Sequence, residues 1–268
     1  MKYNRIVLTG ASGALGSRLR KDVAKYCNIL RVSSLDSLGE AAPNEELFEC
    51  NLSDKDAVKE LTRDADLILH FGGVSTESTF DNILNGNIIG FYNVYEAARQ
   101  NGVKRIIWPS SVHAVGFYDR LDLLETDCPV RPDSLYGVSK VFGEGLAQYY
   151  WDKFKLESVS IRIGSCFPEP TNWRMMTTWQ SYADLLRLIE RCLIVPRVGH
   201  TIVWGISNND QAIWDNRKAG HLGYKPQDNS EVYRDKILQT TDYPEHDFPG
   251  LVLQGGHFAT DGHFEDKV

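Results

Sequence analysis

The chain has 268 residues, 42% of them hydrophobic and 24% charged. That is long enough for one large domain or two small ones, and too apolar for intrinsic disorder. Lys plus Arg number 29 against 36 for Asp plus Glu, a formal charge of −7, which argues against a surface for nucleic acid or anionic lipid but leaves room for a local basic pocket. No apolar run approaches the ~20 residues of a membrane helix, and the opening MKYNRIVLTG reads as a short strand ending at glycine rather than a signal peptide. The five cysteines are widely spaced with no C-x-x-C pair, which fits a reduced, cytosolic protein better than a disulfide scaffold or a zinc site.

In chain order, residues 5–9 form a β-branched apolar strand that meets a glycine cluster. Residues 14–26 turn helical, with Leu15, Leu19 and Val23 at four-residue spacing. Strands follow at 29–32 and, more weakly, 47–50. Ser53-Asp54 opens a helix through Thr62, with Asp56 completing a variant capping box. A fourth strand at 66–71 stops at Gly72-Gly73, and a long helix over 82–100 ends at Asn101-Gly102. A fifth strand (105–110), a helix (135–154) and a sixth strand (158–163) complete an alternating pattern of apolar strands and helices. This predicts an α/β fold with a doubly wound parallel sheet covered on both faces. After Gly164 proline and tryptophan become frequent. Residues 1–164 read as a dinucleotide-binding domain and 165–268 as a smaller lobe packed on it, with earlier loops contributing to the lobe and late segments returning to the sheet.

The first turn is Thr9-Gly10-Ala11-Ser12-Gly13-Ala14-Leu15-Gly16, a G-x-x-G-x-x-G run between strand and helix. Gly10 suits a tight turn, Gly13 a close backbone approach to pyrophosphate, and Gly16 tight packing of helix on strand. Amides at the helix start would then hold the phosphates. Ribose recognition calls for a carboxylate about 20 residues further on, at the end of the second strand. That stretch reads Arg31-Val32-Ser33-Ser34-Leu35-Asp36. Ser34 falls at the expected strand end and Asp36 beyond it, while Arg31 reads as a solvated strand residue rather than a phosphate ligand.

Tyr136 and Lys140 are four residues apart at the start of the 135–154 helix, hence on one face. Ser110-Ser111 closes the fifth strand. A phenol with a pKa of about 10 is a poor base at neutral pH. A neighbouring ammonium and a positively charged nicotinamide both favour the phenolate. Ser111 would hydrogen-bond the reacting oxygen and Lys140 would hold the nicotinamide ribose. The set therefore points to hydride chemistry with a nicotinamide dinucleotide.

The glycine loop and the Ser, Tyr-x-x-x-Lys set, in this order, resemble the extended short-chain dehydrogenases/reductases over nearly the whole chain. The likeness narrows at Gly-Asn-Ile-Ile-Gly (86–90), Leu-Tyr-Gly-Val-Ser-Lys (135–140), Arg-Ile-Gly-Ser-Cys (162–166), Pro-Glu-Pro (168–170) and Asn-Trp-Arg-Met (172–175). With Val-Trp-Gly (203–205) and Gln-Gly-Gly (254–256), it is similar to the uronate dehydrogenase branch of that family. The resemblance implies a Rossmann-type sheet with a small, loop-rich C-terminal substrate lobe. It implies oxidation at C1 of a cyclic hexuronate, galacturonate or glucuronate, to an aldarolactone with NAD.

Residue by residue, the resemblance places the cofactor against Gly10, Ser12, Gly13, Ala14, Leu15 and Gly16, and against Ser34. Asn51, Leu52, Phe71, Gly72, Gly73 and Asn87 continue that surface, with Tyr136, Lys140 and Ile163. It places the sugar against Ser75, Ser111, His113, Tyr136 and Ser165, with Arg174 pairing both oxygens of the carboxylate. It also implies a homo-oligomer. Two positions depart from the family pattern. Val112 stands where Ser-Asn-His has asparagine, which removes a donor to a sugar hydroxyl or to the carboxamide. Ser34 stands where the family has its ribose-binding aspartate, which leaves NADP open beside NAD.

Other conspicuous residues read as structural. His70 is a core histidine, and Cys166 a packing residue without a base. His257 and His263 lie in tail turns rather than a metal clip, and no metal is expected. The six tryptophans read as packing, with Trp173 beside Arg174 placed to touch substrate. Three rival functions remain. One is a 1-dehydrogenase of another anionic sugar, such as a sugar phosphate or sulfo-sugar. A second is a sugar-nucleotide epimerase, for which the stretch after Gly164 is short. The third is a cofactor-binding sensor without chemistry, which would not need the Tyr-Lys pair.

Overall fold

The fold follows from central strands that are apolar on both faces. A computed structural model describes residues 2–242 and 249–267. Its elements begin with β1 (Tyr3–Thr9), α1 (Gly16–Val23), β2 (Cys27–Ser34), β3 (Glu45–Glu49), α2 (Lys55–Leu61) and β4 (Leu67–His70). Next come α3 (Phe80–Ile83), α4 (Gly90–Gln100), β5 (Arg105–Ser111), β6 (Leu124–Glu125), α5 (Leu135–Phe154) and β7 (Glu157–Ile163). The later part adds β8 (Ser165–Cys166), α6 (Met175–Thr178), β9 (Trp179–Gln180), α7 (Tyr182–Ile194), β10 (His200–Gly205), β11 (Trp214–Asp215), α8 (Arg234–Thr240) and α9 (Pro249–Val252). Seven strands share one sheet in the order β10-β7-β5-β4-β1-β2-β3, and β11-β6 and β8-β9 form two short ladders. β1 pairs in parallel with both β2 and β4, so the strand order reverses at β1. Ligands bind beyond the carboxyl ends of the strands at such a reversal.

Backbone contacts divide the chain into two compact units: residues 1–109, 142–160 and 196–201, and residues 110–141, 161–195 and 202–268. In the first unit Ile6, Val7 and Leu8 of β1 and Leu67, Ile68 and Leu69 of β4 are fully buried. One face packs against Val58 and Leu61 of α2 and Phe91, Val94 and Tyr95 of α4, joined by Trp108, Ala147 and Tyr150. Gly143 lets α5 sit on Trp108, whose ring would lie 2.7 Å from a Cβ at that position.

Local chemistry in this unit refines three expectations. The helix expected over 82–100 is interrupted. Residues 84–89 take a π-helical turn between α3 and α4, the irregularity that often marks a functional stretch. The expected capping box is one-sided. Asp54 caps α2 by accepting from the amides of Asp56 and Ala57, so Asp56 occupies the second helical position, too early to reach back. Such a cap contributes about 1 kcal/mol. Arg31 is not solvated: it pairs with Glu46 at 2.8 Å and donates to the carbonyls of Leu61 and Arg63, tying β2 to β3 and to the end of α2.

In the second unit an apolar cluster of Val112, Val115, Leu124, Ile206 and Trp214 surrounds Trp204, and the two indoles stack at 4.7 Å. Within the loop-rich stretch, α7 buries Leu185, Leu188, Ile189, Cys192 and Leu193, one stripe at helical spacing. Ser181 caps it, accepting from the Asp184 amide at 2.9 Å. Gly164 is required where it stands, because a side chain there would meet the Trp214 ring and the Thr178 carbonyl.

Candidate active site

In the first unit the glycine loop is held from three sides. Gly10 has φ +67°, and a Cβ there would overlap the Phe71 carbonyl. A Cβ at Gly16 would overlap the Gly10 carbonyl, whereas one at Gly13 would lie 3.3 Å from that oxygen. Only Gly10 and Gly16 are therefore demanded by the protein itself. Gly13 and Ala14 are exposed, and α1 begins after Leu15 with no side chain capping its first amides. The Ser17 amide donates to the Gly13 carbonyl at 2.9 Å, and a helix start of this kind would receive an anion on its other amides. The Ala11 amide donates to the Ser33 carbonyl at 3.0 Å, and the Ser12 and Ser34 hydroxyls lie 2.5 Å apart, fastening the loop to the end of β2. Ser34 is the last residue of β2, and Asp36 is exposed beyond it.

The loop after β4 forms the next wall. The Thr9 hydroxyl bonds His70 Nδ1 at 2.8 Å and accepts from the Gly72 amide at 3.0 Å, so His70 is a satisfied core residue. Gly73 has φ +124°, and a Cβ there would lie 2.7 Å from Asn87 Oδ1. Asn87, in the π-helical turn, accepts from the Val74 amide at 2.8 Å and donates to its carbonyl at 3.0 Å. It fixes the path of the loop that carries Gly72, Gly73 and the exposed Ser75. Leu52 packs beside Gly72 and Asn51 is exposed next to it. These residues fit a dinucleotide: Gly13, which the protein itself does not require, leaves bare and exposed backbone just before a helix start that no side chain caps.

The second unit brings together Ser111, His113, Tyr136, Lys140, Ser165 and Arg174. Ile163 also falls in this unit, at the end of β7. Ser111 ends β5, accepts from the His113 amide at 3.2 Å and hydrogen-bonds Tyr136. Lys140 Nζ lies 5.0 Å from the Tyr136 ring centroid, one turn along α5. Burial pushes the Tyr136 phenol up to about 12, only partly offset by Ser111 and reinforced by the Asp133 carboxylate. A further positive charge beside it would favour the phenolate.

Arg174 sits at the mouth of α6. Its Nε and Nη2 donate to the Gln254 carbonyl at 3.1 and 2.6 Å, and Nη1 donates to Ser165 Oγ at 3.2 Å. Ser165 is in turn 2.9 Å from Thr178 Oγ1. Among the described residues three of the five guanidinium N–H groups are thus used, which leaves one on each Nη for a bidentate acceptor. Gly256, with φ +66°, leaves room for the stem, since a Cβ there would lie 2.8 Å from Arg174 Cδ and Nε. Burial lowers the guanidinium to about 10, with Asp133 opposing. A substrate carboxylate would relieve that cost.

Three residues join this site that the sequence did not assign to it, two of them without any signal. Asp133 bonds His113, Phe258 stacks on the His113 ring at 4.0 Å, and Gln254 supplies the carbonyl that orients Arg174. Asp133 and His113 are 20 residues apart, and nothing local pairs them. Gln254 had a faint mark in its Gln-Gly-Gly context. Its side chain accepts from Trp214 Nε1 and donates to the carbonyls of Asp119 and Asp122, anchoring the C-terminal segment. Val112 is fully buried in the apolar cluster, so its side chain serves packing. Cys166 is pushed up to about 12 by burial and is inert at neutral pH. Among the described residues no cluster of His, Cys, Asp and Glu could hold a metal, and no helix is long and apolar enough to cross a membrane.

The reversed sheet, glycine cradle and Ser–Tyr–Lys arrangement define a nicotinamide-dinucleotide enzyme of the extended short-chain dehydrogenase/reductase class. The chain belongs to the NAD dependent epimerase/dehydratase family, whose model matches residues 6–179. It is 51% identical to a uronate dehydrogenase of Pseudomonas putida over 98% of both chains. It is 50% identical to a uronate dehydrogenase of Pseudomonas syringae pv. tomato, covering 99% of this chain and 96% of that protein. A crystal structure of uronate dehydrogenase from Agrobacterium tumefaciens, a mutant complexed with NAD, is 47% identical and superposes with a TM-score of 0.95 over 97% of this chain and 98% of that one.

Proposed function

We propose that the chain is a uronate dehydrogenase that oxidises C1 of cyclic galacturonate or glucuronate to the aldarolactone. The observation that carries this is Arg174. It is a half-buried guanidinium with two N–H groups that none of the described residues engages, in the same unit as Ser111, Tyr136 and Lys140. A neutral sugar offers nothing to offset the cost of burying that cation.

NAD, when bound, accepts the hydride from C1. The residues of the chain do the rest. Gly10, Gly13 and Gly16 with the amides of α1 hold the pyrophosphate, and Ser12 and Ser34 meet the adenosine ribose. Lys140 holds the nicotinamide ribose and, with the cofactor's positive charge, brings the Tyr136 phenol down from its raised value. Tyr136 takes the proton of the C1 hydroxyl while Ser111 hydrogen-bonds the same oxygen. The C1–H electron pair departs as hydride, the O–H proton goes to the phenolate, and the lactone carbonyl remains. The reading gives residues 1–164 to the dinucleotide and 165–268 to carboxylate recognition, a division by role that differs from the two compact units. The reading includes a cytoplasmic setting, supported by five free thiols, and a homo-oligomer, supported by the family resemblance. The test is turnover of a hexuronate against its neutral aldose with NAD. Equal rates on both would remove the role given to Arg174.

A further inference from the structure

We propose that Asp133 is a positioning residue that fixes His113 as the Nδ1–H imidazole, so that Nε2 presents a lone pair to a sugar hydroxyl. The proposal rests on His113 being a sugar ligand. Its own content is which nitrogen carries the proton, and which residue decides it.

His113 Nδ1 lies 2.8 Å from Asp133 Oδ2, and the Asp133 side chain is 0% exposed. A carboxylate only accepts, so the bond places the imidazole proton on Nδ1. The carboxylate has little freedom to turn away. Oδ2 is walled by Gly116 and Gly255, where a Cβ on either would overlap it. Oδ1 accepts from Ser134 Oγ at 2.9 Å, and that hydroxyl accepts from the Gly137 amide at 3.0 Å, at the start of α5. The backbones are tied as well, because the Asp133 amide donates to the His113 carbonyl at 3.3 Å.

The ring itself is held flat. Phe258 stacks on it at 4.0 Å and 18°, and Tyr136 presents an edge at 5.8 Å. Among the described residues no protein group bonds Nε2, so the open edge of the ring is an acceptor. The charged or titratable groups facing the imidazole are Asp133, Arg174, His257 and Tyr136. Burial lowers the His113 pKa below its usual 6.5, with Arg174 and His257 acting in the same direction and Asp133 against them. The ring is therefore neutral at pH 7. Asp133 orients it without charging it, the service a carboxylate gives to a histidine that must act through its far nitrogen.

The test uses the full-length enzyme. The 15N spectrum of His113 is expected to show a protonated Nδ1 and a bare Nε2, and in Asp133→Asn a shift of proton density toward Nε2. His113→Ala is expected to raise KM for galacturonate and galactose alike by about three- to tenfold, the size of one neutral hydrogen bond. Asp133→Asn should raise both KM values by a similar factor with kcat changed less. In the His113→Ala background it should have no further effect, because its action passes through that ring. A protonated Nε2 in the parent would overturn the proposal even if Asp133→Asn failed to fold. So would an undiminished effect of Asp133→Asn without His113. A bare Nε2 together with an unchanged KM in His113→Ala would instead overturn the sugar contact and leave the proton assignment standing.

Discussion

Replacing Arg174 by alanine separates substrate binding from fold, because the structure gives the guanidinium both tasks. Two of its N–H groups, engaged by none of the described residues, are given to the carboxylate, while the other three hold the Gln254 carbonyl and Ser165. A charged hydrogen bond contributes roughly 1.5–3 kcal/mol. Losing it should raise KM for a uronate by about ten- to a hundredfold, at about 1.4 kcal/mol per decade. Stripping the buried Gln254 carbonyl of its donors costs a further ~1–3 kcal/mol of stability. The Gln254 side chain keeps its bonds to Trp214, Asp119 and Asp122, so the C-terminal segment should stay docked. The assay is KM and kcat for galacturonate and galactose, read as NADH absorbance, beside thermal unfolding. The uronate should suffer far more than the aldose, and Arg174→Lys should recover part of the loss, since an ammonium lacks the two-pronged face. If both sugars lose equally and in step with Tm, Arg174 only ties down the loop and the reasoning fails.

Tyr136→Phe should reduce kcat by about 10²–10⁴-fold while NADH binding, followed by fluorescence, is retained; activity within a few-fold of the parent would show that Tyr136 is not the base. Ser34→Asp should raise the NAD-over-NADP ratio by at least about tenfold, because like charges about 4 Å apart repel by more than one decade's worth of energy. If the ratio responds instead to Asp36→Ala, Asp36 is the ribose ligand. Gly10→Ala should lower Tm and abolish cofactor binding, since the position combines φ +67° with the Phe71 carbonyl at its Cβ; an unaffected Tm would show that the loop yields. Burial raises Tyr136 to about 12 and Cys27 and Cys50 to about 11, so each binds its proton more tightly when folded. Their stability contribution is intact below the ordinary values of about 9 for the thiols and 10 for the phenol, and is lost as pH rises toward 11 and 12. Tm measured against pH should therefore fall above pH ~9; a flat profile would contradict the burial of these groups.

The parts of this protein that are local in sequence were legible there. Apolar strands such as Ile6 to Leu8, the spacing of Gly10, Gly13 and Gly16, and the single helical turn between Tyr136 and Lys140 each announce themselves within a few residues. What escaped depends on distant partners. The π-helical turn at 84–89 places Asn87 against Val74, and helix periodicity carries no trace of it. A late return to the sheet was expected from the Pro- and Trp-rich stretch, but not that β10 makes it, and α7 lies unmarked in the same texture. Arg31 looked solvated because Glu46 and the end of α2 are remote in sequence. The site shows the same limit. Ser111, Tyr136 and Arg174 sit in recognisable motifs. Asp133 and Phe258 have none, and only folding brings them onto His113.

The central claim is chemical, a dehydrogenase selective for a sugar acid, and one measurement addresses it directly. The purified protein should be offered galacturonate, glucuronate, the matching neutral aldoses and the matching sugar 6-phosphates, each with NAD and with NADP, with kcat/KM read from absorbance of the reduced cofactor. The expected result is turnover of a hexuronate with NAD at a kcat/KM at least about tenfold above any neutral aldose, the advantage of one charged hydrogen bond. A sugar phosphate preferred over both uronates, or no reduction of either cofactor by any uronate, would contradict it.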